Sequence, residues 1–266
     1  MTESAQGAGD AMGCYVYGVV PESDTFTGLD DLRAVGDPEV SVTLVRHRDI
    51  AAVVSDVATD RPLGSPEDLQ AHAGVLNALA AKGAPVLPFR FGTVLKDAQS
   101  VASEVLTGGH DAFVVALERM KGHAQFTLKA QYDQDAVLWE VLDERPEIRE
   151  LRERLNKVSD EAAYYERIEL GQLVAEAIAA KRDADSAEIH QRLAPLAAAT
   201  ATSEPSSEAG LVDASFLVED RRRNTFERAA EDLARHWHGR VRLQLLGPLA
   251  PYDFVADAMG DREEEG

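Results

Sequence analysis

Between residues 14 and 133 the hydrophobic pattern switches repeatedly between a period of two and a period near 3.6. A chain patterned this way must pack sheet and helix against one another, which makes it α+β. The first segment, Cys14-Tyr15-Val16-Tyr17-Gly18-Val19-Val20, is rich in β-branched and aromatic residues and stops at Pro21, so it predicts a strand. A loop and a short helix around Leu29–Val35 are expected next. Val40–Val45 alternates strictly and Ile50–Val57 is apolar, and their closeness predicts a hairpin. A helix then begins at Ser65 as N-cap, with Pro66 in the first position, Asp68 completing a capping box, and apolar residues at helical spacing up to Gly83. Pro85–Gly92 reads as extended and marginal, because its two prolines cannot serve a central ladder. Asp97–Met120 predicts a helix interrupted at Gly108-Gly109, and Gly122–Tyr132 alternates as a strand. This is the order of a split βαβ unit, so residues 14–133 are expected to form a ferredoxin-like N-terminal domain.

Residues 134–255 predict a second domain, a helical hairpin joined to an α+β part. Ile148, Leu151, Leu155 and Val158 recur at helical spacing. Ser159 is placed to cap a following helix, whose expected apolar stripe is Tyr164, Ile168, Gly171, Ala175 and Ile178 and whose end is set by Pro195. Ala197–Gly210 reads as a loop, Leu211–Val218 as a strand, Thr225–Trp237 as an amphipathic helix and Arg240–Leu246 as a strand. Residues 1–13 are expected to be a disordered leader and 256–266 an acidic tail.

Charge removes several function classes. The chain of 266 residues carries a formal net charge of −20, with net −8 in residues 1–133 and −12 in the rest. Acidity spread in this way repels phosphate backbones and anionic lipid surfaces, which argues against general nucleic-acid binding and against electrostatic attachment to a lipid membrane. One cysteine, Cys14, permits neither an intrachain disulfide nor a cysteine zinc site. No apolar run approaches the roughly 20 residues that span a bilayer, and the start of the chain lacks a basic-then-apolar signal. A cytoplasmic location is the expectation.

No constellation for bond chemistry stands out, so no catalytic, cofactor or metal residues are assigned and no cofactor is expected. Phosphate-loop and nucleophile-elbow patterns are missing. His236 and His238 sit at a predicted helix end, where the dipole alone accounts for them. His47 and His72 are isolated and read as surface or core residues. Glu144, Glu147, Glu150 and Glu153 lie among arginines as a solvated face. Arg221-Arg222-Arg223 follows Glu219-Asp220 and reads as a locally paired turn. Cys14 opens an apolar strand as a buried thiol. Two strips call for more. Val86–Val94 sets Arg90 between Phe89 and Phe91, either as a buried fork tying the strip down or as a surface for a partner. Gly247–Phe254 combines Pro248 and Pro251 with Tyr252 and Phe254, giving stiffness and contact area for docking.

These strips carry a family resemblance. Tyr15–Val20 (YVYGVV), Leu87–Val94 (LPFRFGTV), Phe216–Asp220 (FLVED) and Gly247–Phe254 (GPLAPYDF), in this order, resemble the gas vesicle accessory protein family GvpL/GvpF over residues 14–255. Leu249, Ala250 and Asp253 depart from the family's usual ending. The resemblance implies a two-domain protein that is not an enzyme, located in the cytoplasm and associated with gas vesicles. It implies binding of the hydrophobic major shell protein, limiting its aggregation and assisting nucleation and assembly, and includes a place as a minor vesicle component. Other gas vesicle accessory proteins are further implied partners. The partner surface is placed at Phe89, Arg90 and Phe91, and tail docking at Pro248, Pro251, Tyr252 and Phe254. The alternatives are an adaptor joining accessory proteins and a small-molecule enzyme or sensor on a ferredoxin-like fold.

Overall fold

Strand β1 (Met12–Pro21) organises the first half of the molecule because eight consecutive residues, 13–20, are buried. A strand covered on both faces and both edges reads as a continuous apolar run. The computed structural model describes residues 12–23, 26, 28–158, 164–205, 207 and 209–259. Residues 1–11 of the expected leader, the expected cap Ser159 and residues 260–266 of the expected acidic tail lie outside them. Met12 and Gly13 belong to β1, and Val255–Met259 forms a short helix, so part of each expected terminal segment has regular structure.

The described residues form two antiparallel sheets. In the first, β2 (Thr43–His47) and β3 (Ile50–Ala58) form the expected hairpin and β3 pairs with β1. The other edge of β1 takes two short pieces, β4 (Leu87–Pro88) and β5 (Val94–Leu95), giving the order β2-β3-β1-β4 with β5 also on β1. Tyr15, Tyr17, Ala51 and Val53 pack with helix α1 (Pro66–Ala81) in one core cluster. Helix α1 starts as its sequence dictates: Ser65 accepts from the Asp68 amide, and the Asp68 carboxylate returns the bond. A helical run, α2 (Ala98–Ser100), a π-helical segment (Val101–Leu106) and α3 (Thr107–Met120), follows β5. The expected break falls at the π segment, while Gly108 and Gly109 stay within α3. Gly109 has a packing reason, since a Cβ there would stand 2.5 Å from the Phe113 ring.

The second sheet has the order β7-β8-β6-β9, built from β6 (His123–Tyr132), β7 (Ala199–Ser203), β8 (Gly210–Glu219) and β9 (Val241–Leu249). Helices α4 (Gln134–Glu144), α5 (Pro146–Leu155) and α6 (Tyr164–Leu193) lie between β6 and β7, and α7 (Arg223–His236) between β8 and β9. The interior face of α6 is Leu170, Leu173, Val174, Ala177 and Ile178. Of the expected stripe, Tyr164 and Ile168 are exposed, while Ile178 packs inward and the stripe's continuation at Ile189 and Leu193 is buried. A strand, β7, replaces part of the expected loop; its Thr200 and Thr202 are β-branched, and pairing with β8 supplies the partner the isolated segment lacks.

The organisation differs from the expected one in the first unit and its sheet. No helix forms over 29–35, so the first unit lacks the crossover helix of a ferredoxin-like order. β6, expected to complete the first sheet, pairs in the second. The chain divides into residues 1–125 with 247–266, and residues 126–246, instead of at 133/134 and 255/256. The physical reason is the closing strip, which packs within the first unit against Asn77 and Gln125.

In the second unit a buried ionic group ties helices to sheet. The Tyr132 hydroxyl donates to Asp185 at 2.5 Å, and Arg240 bonds the same carboxylate and, at 2.8 Å, Glu140. Lys181 joins Glu140 at 3.1 Å and Glu144 at 2.8 Å. Burial, with the Asp185 carboxylate, pushes the Tyr132 phenol strongly up and keeps it a donor. Breaking such a pair strands the remaining charge, so Asp185→Ala should cost about 3 kcal/mol in chemical denaturation. In the first unit, a Cβ on Gly18 would lie 2.4 Å from the Leu87 carbonyl oxygen. Gly18→Ala should therefore lift β4 from β1 and destabilise by about 1–3 kcal/mol. Faster hydrogen exchange at the Phe89 amide, which bonds the Tyr17 carbonyl, would report it.

Candidate functional site

The strip Leu87–Leu95 is held at both ends and free in the middle. Pro88 lies opposite Gly18 and Val94 opposite Tyr15, so six steps along the strip span three along β1. The surplus is expelled as a bulge, the usual outcome when one strand carries extra residues. Its rims are fixed by Phe89 N–H donating to the Tyr17 carbonyl (2.8 Å) and Val16 N–H to the Thr93 carbonyl (2.9 Å). The turn closes through the Thr93 hydroxyl on the Arg90 carbonyl at 2.8 Å, with Gly92 at φ +87°. Both glycines of β1 that meet the strip are needed for closeness: Gly13 faces Val94 as Gly18 faces Leu87.

Arg90 is exposed, while Phe89 and Phe91 are half-buried. The guanidinium of Arg90 forms no hydrogen bond or ion pair with the described residues, so the buried-fork reading of this arginine is set aside. What fixes the bulge is aromatic packing and one hydroxyl. Phe89 lies 6.0 Å from Phe113 between ring centroids, and Phe91 lies 5.6 Å from His72 and 6.1 Å from Tyr15. The Gly92 amide donates to the Tyr15 hydroxyl at 3.1 Å.

The start of the same strip, Ala84 and Pro85, lines a cleft of about 520 Å³ with Pro21, Ile50, Val114 and Leu117. Asp49, Lys82 and Glu118 also line it, and Lys121, a further lining residue, is paired with Glu118. Residues 84–93 thus run from a concave apolar surface to a projecting aromatic and cationic one.

The closing strip docks within the first unit. Ala250 N–H donates to Asn77 at 3.0 Å, and Asp253 and Gln125 exchange two bonds, at 2.7 and 3.1 Å. Arg119 donates to the Ala258 carbonyl at 2.9 Å. Ala250, Pro251 and Phe254 are buried, Pro248 is half-buried, and Tyr252 remains 39% exposed with its ring 6.2 Å from His72. Phe91 and Tyr252, from the two strips singled out in the sequence, therefore flank the same imidazole.

His72, read from the sequence as a surface or core residue, is a core residue, and nothing in the sequence signalled its partners. It is 4% exposed and accepts or donates through Nδ1 to the Tyr15 hydroxyl at 2.9 Å. Burial lowers its pKa, with a smaller opposing pull from the Phe89 backbone. Nε2 is buried without a partner at hydrogen-bond geometry. Burial also pushes the Tyr15 phenol up to about 12 and raises Tyr252 further. Cys14 is likewise an inert buried thiol, pushed up to about 11 by burial and then by Asp56 and Asp97. A second histidine behaves in the opposite sense: His110 bonds Asp111 at 2.9 Å and Asp49 at 2.6 Å, and these carboxylates raise its pKa.

The chain is similar to known proteins over most of its length. The model of the family described as "Gas vesicle synthesis protein GvpL/GvpF" matches residues 13–256. Gas vesicle protein F of Streptomyces sp. (strain CB03234) is 36% identical over 245 residues, covering 92% of this chain and 100% of that protein. Gas vesicle protein L of the same strain is 28% identical over 275 residues, covering 94% and 95%. The crystal structure of GvpF from Anabaena sp. PCC7120 superposes with a TM-score of 0.75 at 23% identity, over 91% of this chain and 98% of that one.

The two histidines predict a pH response. His72, with its pKa lowered on folding, contributes full stability above about pH 6.5, and that contribution is lost as pH falls toward the lowered value. His110, with its pKa raised, contributes fully below about pH 6.5 and loses this as pH rises through the raised value. Thermal unfolding of His72→Asn should flatten the acidic side of the profile, and His110→Gln the neutral side.

Proposed function

This chain belongs to the GvpL/GvpF family of gas vesicle synthesis proteins, and on that premise we propose that it is a carrier for the hydrophobic major shell protein. In this reading it covers the shell subunit's apolar face before assembly, limits aggregation and assists nucleation, and breaks no bond. A subunit that will face gas exposes apolar surface in water, which makes it an aggregation hazard until covered. Two properties support the role. The bulge offers half-buried Phe89 and Phe91 around Arg90, which is unpaired among the described residues, and the same unit has a cleft with an apolar part formed by Pro21, Ile50, Val114 and Leu117. The net charge of −20 would keep the loaded carrier dispersed. The observation that carries the location is the expelled, aromatic-tipped bulge on the sheet edge. We also read the first unit as a ferredoxin-like sheet that lacks its first helix, and the protein as acting in the cytoplasm on growing vesicles. The higher identity to the F protein than to the L protein of one strain favours an F-type role.

A second reading, an adaptor for other accessory proteins, is favoured by the start of α6, where Tyr164, Tyr165 and Ile168 are 62%, 82% and 44% exposed. One capture experiment separates the two. With the major shell protein as bait, Phe89→Ala and Arg90→Ala, each checked for folding, should weaken capture about tenfold, while Tyr165→Ser leaves it intact. Undiminished capture by the bulge variants, with loss in Tyr165→Ser, would move the interface to the helical arm.

A further inference from the structure

The irregular bulge needs something to hold its shape, and the hydrogen-bond directions show what does. A backbone amide can only donate, so the Tyr15 hydroxyl accepts from Gly92 at 3.1 Å. Its own proton is then free for one bond, and Nδ1 of His72 stands 2.9 Å away. Nδ1 is the one hydrogen-bonded acceptor for that proton among the described residues, so the arrangement that satisfies the hydroxyl has Tyr15 donating to Nδ1 and the neutral imidazole's proton on Nε2. The chain Gly92 N–H to Tyr15 O–H to His72 Nδ1 runs in one direction, so each bond polarises the next. Around the imidazole stand four rings: Tyr15 at 5.7 Å, Tyr17 at 5.8 Å, Phe91 at 5.6 Å and Tyr252 at 6.2 Å. His72 is thus where the first strand, the bulge and the closing strip converge.

We propose that His72 is the positioning residue of the bulge: acting through Tyr15, it holds Gly92, and by packing it holds Phe91, so that Arg90 and Phe91 are presented to the partner in one conformation. The consequence for binding rests on the reading of the bulge as the shell-protein surface. The closing strip is part of the same device, since Tyr252 covers the imidazole from the side of the tail. Preorganising the surface lowers the ordering cost of association, which is how a buried residue outside the contact governs affinity.

The test uses the full chain. Tyr15→Phe removes one oxygen and keeps the ring, so folding is preserved while Gly92 loses its acceptor. His72→Leu removes the acceptor for Tyr15. His72→Asn restores one, because its side-chain oxygen stands about where Nδ1 does. Hydrogen exchange at the Gly92 amide, read by NMR against the Val53 amide as an internal control, should quicken about tenfold in Tyr15→Phe and His72→Leu and return toward the parent in His72→Asn. Capture of the major shell protein should fall and recover in the same order. Unchanged Gly92 exchange in Tyr15→Phe overturns the proposal. Quickened exchange with undiminished capture overturns it too if Phe89→Ala still loses capture. If Phe89→Ala also keeps capture, it is the location of the binding surface that fails.

Discussion

The first unit depends on how closely other backbone can approach β1. A strand with eight buried residues in a row must be covered everywhere, and the two glycines at positions 13 and 18 decide by what. At each, a side chain would collide with the strip that carries β4 and β5. Glycine costs conformational entropy in a strand, so its presence at these two points marks close contact as the feature being kept. Clamped at both ends, a strip with residues to spare has no option except to push them outward. The bulge is thus a consequence of register, and its residues are free of the requirement to fill the core.

The two tyrosines of β1 extend the same logic from backbone to side chain. Tyr15 takes the Gly92 amide and Tyr17 the Val35 amide, the latter at 2.9 Å, while the Tyr17 hydroxyl also meets Ser55 at 3.0 Å. Each phenol is buried, and each must satisfy its polar end. Each does so by pinning a segment that has no regular structure of its own. This explains why 29–35 is not a helix: one of its amides is bound by a tyrosine on the sheet, and Leu29, Ala34 and Val35 enter the core as a packed loop.

How much of this was legible in the sequence follows from the range of each interaction. Local signals read correctly. The capping box at Ser65 and Asp68 involves neighbours, and the hairpin of β2 and β3 needs only a short connection. The closing strip's proline and aromatic content announced docking, and its site on the first unit required distant residues such as Asn77 and Gln125. Sheet membership was not legible, because the alternation of β6 is the same whichever partner it finds, and pairing is decided by residues about a hundred positions away. The same holds for β7, whose threonines form a strand once β8 is beside them. For the candidate site, the strip and its aromatics were visible, but the exposure of Arg90 was not. An arginine between two phenylalanines looks buried until the register places it on an expelled turn. His72 read as a surface or core residue and no more, for the converse reason: its partners come from three separate stretches.

Charge completes the picture at a longer range. The ion pairs of the surface are mostly local, such as Arg221 with Glu219 and Arg223 with Asp220, and add little to stability. Their effect is to leave the acidic excess unopposed over the exterior, while Arg90 stands unpaired on the bulge. A partner approaching this body therefore meets general repulsion if it is acidic and no long-range obstacle if it is neutral and apolar. Selectivity of this kind needs a contact surface that does not rearrange, because an apolar interface with a mobile tip would pay in ordering what it gains in burial. The buried imidazole, held neutral by its surroundings, supplies that rigidity without placing another charge beside the contact. It could not do so if it were protonated, since Nδ1 would then carry a proton and no longer accept the one from Tyr15. Keeping the support neutral and the exterior acidic is one arrangement with a single requirement: the apolar surface must be firm, and everything around it must discourage other occupants.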